Sequence, residues 1–322
     1  MECDSCGREA VTYAAYAGTH RCAEHLCRSV EKRVRRRIRS DGLLPDDATP
    51  EDPVTWLIGL SGGKDSVVLT HVLADTFGRD PRVELVALSV HEGIDGYRDE
   101  SLAAARELVD GLDADVRHET VSYAEELGVE MDEVVERDPE GMSPCAYCGV
   151  FRRDLLEAAA GEFDADLLLT GHNLDDEAET ALMNVLEGDV DRMGNHFDAS
   201  LGALDERGDP GPFVPRAKPL RDVPESEVAL YAHVRDLPVH MAECPHASES
   251  FRATIQELLH ELEDAHPGTR HSIMAGYEEL ASLAADRPAD DGPALGECER
   301  CGSPTARELC RSCQLVEAVE TA

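Results

Sequence analysis

Hydrophobic and polar positions follow two different rhythms along the middle of the chain. Four short runs rich in β-branched and aliphatic residues, each bounded by turn residues, predict strands: TWLIGLS, VELVALSV, ADVRHETV and ADLLLTGH. The stretches between them have helical patterns, over Asp65–Phe77, Arg98–Leu112, Gly149–Ala160 and Leu174–Leu186. This alternation predicts an α/β fold of right-handed βαβ units, a parallel sheet with helices on both faces.

The predicted strands end in polar segments that we expect to meet. SGGKDS follows the first strand, SVHEGID ends the second, and TGHNLDDE ends a later one. Open parallel sheets bind ligands beyond the carboxyl ends of their strands, at the topological switch point. The three segments therefore predict one binding site at that edge of the sheet.

Composition divides the 322 residues into three parts. A segment with cysteines, a histidine pair and a basic run covers 1–40, and the linker DGLLPDDATPEDP follows it. The α/β part is predicted over 54–286. Within it, amphipathic patterns at 248–265 and 269–285 are typical of packing or dimer surfaces, and EGDVDRMGNHFDASLGALDERGDPGP predicts a mobile surface loop. A third part, 296–322, holds four cysteines.

The charge balance is strongly acidic, at −37, and lysine occurs only at Lys32, Lys64 and Lys218. Acid-rich surfaces suit very high salt, where self-repulsion is screened within a few ångströms, so we expect a halophilic source. The acidity therefore neither indicates nor excludes nucleic acid as a partner. No apolar run reaches the ~18 residues of a membrane span. The polar N-terminus carries no signal peptide, which predicts a cytoplasmic protein without a membrane contact.

Two cysteine groups near the ends of the sequence are spaced like zinc ligands. In a cytoplasmic chain, paired cysteines indicate metal ligands rather than disulfides. The N-terminal group has the spacing C-x2-C-x15-C-x2-H, and Cys27 is left over as a less regular substitute for the histidine: Cys3, Cys6, Cys22, His25. The C-terminal group consists of two C-x2-C pairs: Cys298, Cys301, Cys310, Cys313. Each group predicts a structural zinc finger, because so short a segment needs a metal to fold.

The remaining cysteines form a third, incomplete group. Cys145 and Cys148 lie in SPCAYCG, and Cys244 lies in AECPH. A redox C-x-x-C pair, a zinc site completed by His246, and a [4Fe–4S] cluster held by three thiolates are all compatible with this spacing. Three cysteine ligands would leave one iron open for a sulfur atom of the substrate.

The glycine-rich segment is suited to a phosphate but departs from the Walker pattern, since Ile58 and Asp65 stand where Gly and Ser or Thr are required. Its glycines let amides approach phosphate, a lysine neutralises charge, serines donate hydroxyls, and an aspartate could ligate Mg²⁺. These residues are Ser61, Gly62, Gly63, Lys64, Asp65 and Ser66.

Taken together, these motifs resemble those of the PP-loop ATP pyrophosphatases, with their Rossmann-like adenine nucleotide alpha-hydrolase fold. Within that superfamily the chain resembles the tRNA 2-thiouridine synthetases of the TtuA/NcsA type over nearly its whole length. The shared features are the two zinc fingers and the segments LSGGKDS, CAYCG followed by FRR, GHNLDDEAET, RAKPLRDVPESEV and ECPH.

The resemblance implies that SGGKDS binds the pyrophosphate of ATP. It places Ser89 and His91 beside the adenosine part, with Gly171, His172 and Asn173 as the other wall of that pocket.

The resemblance also implies roles for residues near the chemistry. Asp175 would act in catalysis or with Mg²⁺, and Arg152 would be a basic residue near the cluster. Cys145, Cys148 and Cys244 would ligate a [4Fe–4S] cluster, with persulfide chemistry at these cysteines as the alternative.

The activity implied is ATP-dependent 2-thiolation of tRNA. ATP adenylates the C2 carbonyl oxygen of a uridine, and sulfur then displaces AMP. The implied partners are tRNA, a ubiquitin-like sulfur carrier ending in a thiocarboxylate, and a second copy of the chain in a homodimer. The wobble uridine is favoured over the T-loop uridine if the source is halophilic. The alternatives are another PP-loop adenylating ligase and a non-enzymatic nucleic-acid-binding protein.

Two basic segments are candidates for contact with RNA phosphates. The first contains five arginines, and its alternative is a solvated helix paired with acidic neighbours: Arg33, Arg35, Arg36, Arg37, Arg39. The second, RAKPLRDVP, contains Lys218 and predicts a loop close to the active site.

Overall fold

The computed structural model describes residues 1–194, 213–247, 251–285 and 295–322. The strands in these ranges are β1 (Thr12–Ala14), β2 (Thr19–Arg21), β3 (Val54–Gly59), β4 (Val83–His91), β5 (Val116–Ser122), β6 (Leu167–Leu169), β7 (Arg216–Ala217), β8 (Gly296–Glu297) and β9 (Pro304–Thr305).

The helices of the same ranges are α1 (Ala23–Ser40), α2 (Lys64–Phe77), α3 (Arg98–Asp110), α4 (Tyr123–Glu126), α5 (Met131–Arg137), α6 (Pro144–Glu162), α7 (Leu174–Glu187), α8 (Val190–Gly194), α9 (Glu225–Val234), α10 (Phe251–Ala265), α11 (Thr269–Ala285) and α12 (Arg311–Thr321).

A five-stranded parallel sheet in the order β5-β4-β3-β6-β7 forms the centre of the fold. The chain moves outward from β3 to β5 and then returns to pair β6 on the other side of β3. The topological switch point therefore lies at the carboxyl ends of β3 and β6, where SGGKDS and TGHN follow. The predicted α/β class and parallel sheet are confirmed.

The two faces of the sheet are covered by different helices because successive strand residues point to opposite sides. Trp56 and Ile58 of β3 join a core with residues of α1, α2, α3 and α9. Leu57, between them, joins a second core with residues of α5, α6 and α12. A third apolar cluster packs α7 against α10 and α11.

Both ends of the described chain pack against the central unit. Leu26, Val30, Val34 and Ile38 of α1 are buried, and α1 packs against α9. Residues of α12 complete the core beneath α6. The proposed boundaries 1–40, 54–286 and 296–322 stay a prediction, and the two terminal helices bury their apolar faces in the middle part.

Two elements differ from the sequence prediction. Helix α6 begins at Pro144 rather than Gly149, because proline is favoured at the first helical position and Ser143 has the extended backbone of an N-cap. Part of RAKPLRDVP is strand β7 rather than loop, and it pairs with β6. Of the segment predicted as a surface loop, 190–194 form α8, and 195–212 lie outside the described residues.

None of the helices in the described ranges is long and apolar enough to cross a membrane.

Candidate functional site

The loop after β3 runs into an open helix N-terminus. Gly62 has φ of +83°, and a Cβ there would lie 1.9 Å from the carbonyl oxygen of Ser101, so a larger residue does not fit. Gly63 is the N-cap of α2 and has no side chain with which to cap it. The first amides of this 14-residue helix therefore face the loop, as a phosphate site requires.

The two serines of the loop hold its shape. The Ser61 amide donates to Ser66 Oγ at 3.0 Å, and the Ser66 hydroxyl donates to the Gly63 carbonyl at 3.0 Å. Ser61 Oγ also lies 3.0 Å from Ser66 Oγ. Ser66 thus connects the two ends of the loop, while Ser61 lines the cavity next to it.

Lys64 lies between two carboxylates at the start of α2. Its Nζ is 2.9 Å from Asp65 Oδ2 and 2.8 Å from Glu225 Oε1, at the start of α9. Burial lowers the pKa of Lys64, but the two carboxylates together outweigh burial and raise it. Lys64 is therefore a fixed positive charge at the loop.

The segment after β6 forms the opposite wall. Asn173 caps α7 by accepting from the amides of Asp175 and Asp176, and its Nδ2 donates to Asp65 Oδ1 at 3.0 Å. A Cβ at Gly171 would lie 2.8 Å from the carbonyl carbon of Asp65, so this glycine permits close approach of the two loops. His172 is exposed beside them.

The two acids of GHNLDDE have different surroundings. Asp175 contacts Arg270 at 3.0 Å and accepts from the Glu225 amide at 2.8 Å, so it joins α7, α9 and α11. Asp176 accepts from the Asn173 amide at 3.0 Å. Burial raises the pKa of Asp176 to about 7 against the effect of that amide, and the charge of nearby Asp65 adds to the rise. Of the two acids, Asp176 is thus the one that lies close to Asp65 of the loop, although the sequence motif had indicated Asp175.

The two candidates from the end of β4 also differ from each other. Ser89 is fully buried, donates to the Leu60 carbonyl at 2.7 Å and lies 2.8 Å from His118 Nε2, so its hydroxyl supports the loop from behind. His91 is partly exposed, accepts from the Gly93 amide and lies 3.3 Å from Asp99. Of the two side chains, His91 is the one that a nucleotide could reach.

A cavity of about 260 Å³ adjoins the loop and receives the third cysteine group. Cys145 and Cys148 lie on the first two turns of α6, three residues apart and so on one face. Among the residues that line the cavity are Ser61, Gly63, Cys145, Cys148, Arg152 and Cys244. The structure therefore brings the predicted phosphate loop and the three predicted cluster cysteines into one site.

Two donors contact Cys148. Arg152, one turn further along α6, places Nη2 3.2 Å from its Sγ. The hydroxyl of the fully buried Tyr123 lies 3.5 Å from the same sulfur and donates to the Cys148 carbonyl at 3.0 Å. Hydrogen bonds to cysteine sulfur are among the factors that set the potential of iron–sulfur centres. Tyr123 had no motif to mark it in the sequence.

The ligand atoms of each terminal cysteine group lie close enough together to bind one metal ion. In the N-terminal group all four ligand atoms lie within 4.8 Å of one another, and Cys6 Sγ is 3.7 Å from Cys22 Sγ. Two sulfurs bound tetrahedrally to one zinc at about 2.3 Å are about 3.8 Å apart. Cys27 is buried in the main core instead, which leaves His25 as the fourth candidate ligand.

The C-terminal group has the same compactness. Its four sulfurs lie within 4.8 Å of one another, with Cys301 Sγ 3.6 Å from Cys310 Sγ. Cys298 accepts from the Cys310 amide at 3.2 Å, and Cys310 accepts from the Cys313 amide at 3.4 Å. Burial raises the pKa of both thiols. The backbone amide donors outweigh burial at Cys298, whose pKa falls to about 6, but not at Cys310, whose pKa rises to about 11.

The donors around the cavity fit a larger group than a single zinc ion. Within the described residues, Cys145, Cys148 and Cys244 are not among the sets whose ligand atoms all lie within 4.8 Å. His246, the candidate fourth zinc ligand, has its Nε2 2.5 Å from Asp132 Oδ1. Three thiols facing a shared cavity are compatible with a [4Fe–4S] cluster, whose irons take cysteine thiolates.

The basic side chains of α1 are of two kinds, those that pair with acids of the packed core and those that are exposed. Arg33 pairs with Glu227, and Arg37 lies 2.8 Å from Asp222, so both are committed to packing α1 against the start of α9. Lys32, Arg36 and Arg39 are exposed, and their spacing of four and three residues places them on one face of α1, where Arg36 also contacts Asp222 at 3.2 Å. This exposed face is available to a phosphate backbone.

A parallel sheet in this strand order, whose first strand leads through SGGKDS into an open helix N-terminus, defines a PP-loop nucleotide-binding protein. The model of the PP-loop domain family matches residues 33–261.

Similar proteins show which family within the PP-loop class the chain belongs to. A tRNA 2-thiolation protein NcsA of Haloferax volcanii is 66% identical over 99% of both chains. The cytoplasmic tRNA 2-thiolation protein 1 of Bos taurus is 36% identical over 99% of this chain and 88% of its own. The solved U34-tRNA thiolase NcsA from Methanococcus maripaludis, with its [4Fe–4S] cluster, has a TM-score of 0.79 at 32% identity and is covered over 96%. The chain belongs to the family of tRNA 2-thiolation proteins, which confirms the resemblance drawn from its motifs.

Proposed function

We propose that this protein is an ATP-dependent tRNA sulfurtransferase that converts the wobble uridine to 2-thiouridine. The observation that carries the proposal is the shared cavity, in which Ser61 and Gly63 of the nucleotide loop face the same space as the three cysteines. A site of this kind can activate a carbonyl and receive sulfur without moving the substrate between two centres. The U34-tRNA thiolase from Methanococcus maripaludis supports the choice of the wobble position.

Adenylation would take place at the loop. The C2 oxygen of uridine attacks the α-phosphorus of ATP, and the bond to pyrophosphate breaks. Lys64 and the first amides of α2 would stabilise the negative charge that builds up on the leaving pyrophosphate. Because AMP is then attached to C2 through the former carbonyl oxygen, that oxygen becomes part of a good leaving group.

A Mg²⁺ ion would bind together with these phosphates, because Mg²⁺ is usually held by one or two carboxylates and the phosphates of the substrate. Asp65 would be its protein ligand, and Asp176 lies close enough to Asp65 for their charges to repel. A bound cation relieves this repulsion and favours the ionised form of Asp176. Asp175 would have a supporting role, since its carboxylate contacts Arg270 and the Glu225 amide.

Sulfur would arrive from the cysteine side of the cavity. A [4Fe–4S] cluster held by Cys145, Cys148 and Cys244 would supply an iron with an open position for a sulfur atom. Arg152 places a positive charge beside Cys148. That charge would be close to C2 when sulfur displaces AMP from it. The target base has to leave its stack to reach this cavity, which favours a nucleotide in a loop of the tRNA.

Three further features complete the proposal. The exposed face of α1, formed by Lys32, Arg36 and Arg39, would contact tRNA phosphates. The two four-ligand groups would each hold a structural zinc ion. The sulfur donor would be a ubiquitin-like protein ending in a thiocarboxylate, and the active form a homodimer, as the family resemblance implies.

Reconstitution tests the proposal. Protein loaded with iron and sulfide without oxygen is mixed with unmodified tRNA, ATP, Mg²⁺ and sulfide in high salt, and nucleosides are measured by mass spectrometry. We expect 2-thiouridine at the wobble position, with one AMP and one pyrophosphate for each sulfur inserted. Lys64→Met should abolish it, whereas Arg82→Met, at the opposite edge of the sheet, should retain it. Thiouridine in the T-loop would contradict the choice of the wobble position. AMP formation without thiolation would instead favour another PP-loop adenylating ligase.

A further inference from the structure

A buried carboxylate lies between the nucleotide loop and the cysteine cavity. Glu92 directly follows β4 in SVHEGID and is 1% exposed. A carboxylate so deeply buried is stable only if it is paired. Its two oxygen atoms are directed to two arginines that belong to different parts of the site.

The first arginine connects Glu92 to the nucleotide loop. Arg98, itself buried, has its Nε against Glu92 Oε2. Its Nη1 donates to the Ser61 carbonyl at 3.0 Å, and its Nε donates to the Val90 carbonyl at 2.7 Å. The guanidinium thus fixes the first residue of SGGKDS to the strand next to it.

The second arginine connects Glu92 to the cysteines. Arg152 donates to Glu92 Oε1 from Nη2 at 2.8 Å and from Nε at 3.1 Å. The same Nη2 lies 3.2 Å from Cys148 Sγ. Since Arg152 is otherwise half exposed, the two hydrogen bonds that it donates to the single oxygen Oε1 of Glu92 are what direct it to the sulfur.

A comparison within the chain separates this arrangement from an ordinary buried ion pair. Glu227 is also buried and also contacts two arginines, Arg21 and Arg33. Those arginines continue to Tyr16 and to the Asp222 carbonyl, which belong to the packing of the N-terminal segment and α1 against the region around the start of α9. The arginines of Glu92 instead continue to the nucleotide loop and to a predicted cluster ligand.

We propose that Glu92 is a positioning residue that sets Arg152 on Cys148 and, through Arg98, holds the nucleotide loop in register with the cysteine cavity. This inference rests on the proposed function of the cavity. Its consequence is that the two halves of the reaction are coupled. Occupation of the loop by ATP should be detectable at the cysteines, and loss of the carboxylate should remove that effect.

The test uses the full chain with Glu92→Gln, Glu92→Asp and the matched control Glu227→Gln. The EPR spectrum of the reduced, cluster-loaded protein is recorded with and without a non-hydrolysable ATP analogue. We expect the wild type and Glu227→Gln to share one spectrum that changes on addition of the analogue. Glu92→Gln should have a different spectrum that the analogue does not change, and Glu92→Asp should recover part of the wild-type behaviour.

A second readout needs no cluster. In apoprotein, Glu92→Gln should weaken binding of the ATP analogue by about 2- to 30-fold, whereas Glu227→Gln should leave it unchanged. If Glu92→Gln does not fold, Arg98→Lys keeps the charge but cannot bond Ser61 and Val90 together, and it should weaken binding in the same direction. In the cluster-loaded protein, the kcat of Glu92→Gln for thiolation should fall about 10- to 100-fold, because Glu92 orients the arginine that contacts a predicted cluster ligand.

Wild-type spectra and wild-type ATP binding in folded Glu92→Gln would overturn the inference. Equal changes in Glu227→Gln would also overturn it, because they would trace the effect to a general loss of stability. Failure of the wild type to make 2-thiouridine would instead count against the proposed function, since ATP binding and the spectra are measured without tRNA.

Discussion

Lys64 and Glu225 lie 2.8 Å apart and connect the nucleotide loop to the start of α9, half of the chain length away in sequence. The lysine that would meet pyrophosphate is therefore already paired, and ATP has to compete with a carboxylate for it. Both side chains are partly exposed, so the pair itself contributes only about 0–1 kcal/mol to stability.

Glu225→Gln should therefore tighten ATP binding. The substitution removes a negative charge next to the phosphates and frees Lys64 to follow them. We expect the dissociation constant of ATP to fall about 2- to 5-fold, as a pair of this strength allows, with little change in melting temperature. Titration calorimetry measures this, and Glu278→Gln, which removes a carboxylate paired with Arg221, serves as the control. A raised dissociation constant would mean that Glu225 positions Lys64 instead of competing for it.

Replacing Cys244 should remove iron but retain zinc. Protein purified without oxygen in high salt should contain about four irons and four sulfides, with one zinc for each of the two terminal groups. Cys244→Ala should lose the iron because it removes one of three thiolates. Cys27→Ala removes a buried thiol of the core and should keep both metals. Zinc without iron in the wild type would exclude the cluster and leave persulfide chemistry at these cysteines.

The exposed face of α1 should contribute to tRNA affinity. Changing Lys32, Arg36 and Arg39 together to glutamine should weaken binding and reduce the slope of log affinity against log salt by about 2 to 3. The matched control changes Arg79, Arg82 and Arg117, which lie at the amino ends of β4 and β5. Filter binding over a range of salt concentrations distinguishes the two variants. Equal slopes for both would place the tRNA elsewhere on the surface.

Asp176 should make the free energy of unfolding depend on pH. Burial raises its pKa from 3.8 to about 7, so the folded state favours the protonated acid. The stability that this proton contributes is complete below pH ~4 and is lost as pH rises through about 7. Asp176→Asn keeps an acceptor for the Asn173 amide and carries no charge. Relative to the wild type, it should gain stability between pH 4 and 7, by at most about 4 kcal/mol, and then level off. Denaturant unfolding at several pH values measures this, and a constant difference would contradict it.

Removing zinc from the C-terminal group should loosen α6. Leu315 and Val316 of α12 are buried in the core that also contains Phe151 and Leu155 of α6. Burial of each side chain contributes about 1.5–3 kcal/mol, so release of α12 should cost several kcal/mol. Cys298→Ser should lower the melting temperature and speed hydrogen exchange in α6. Unchanged exchange in α6 would show that α12 stays in place without its metal.

The parts of the site that the sequence predicted are those with a local pattern. Strand periodicity and flanking turn residues indicated β3 and β6, and their order along the chain placed SGGKDS and TGHN at one edge of the sheet. The spacing of cysteines marked both terminal groups, because one metal ion limits how far apart its ligands can lie.

What the sequence did not predict depends on distant partners. Glu92 stands inside a segment already singled out, but its importance comes from Arg98 and Arg152, and no spacing rule connects the three. The same holds for the basic run, where Asp222 and Glu227, far along the chain, pair with three of its arginines. Asp175 and Asp176 differ only in which side of α7 they occupy, and their motif does not distinguish them.

The packing of α12 beneath α6 also has a consequence for synthesis. A ribosome releases Cys145 and Cys148 long before it reaches Leu315 and Val316, which complete the core under them. Until those residues emerge, the helix that carries the two cysteines lacks part of its support. A cluster bound by these cysteines would therefore be inserted after translation has passed α12, and both thiols of the nascent chain would be exposed to oxidants until then.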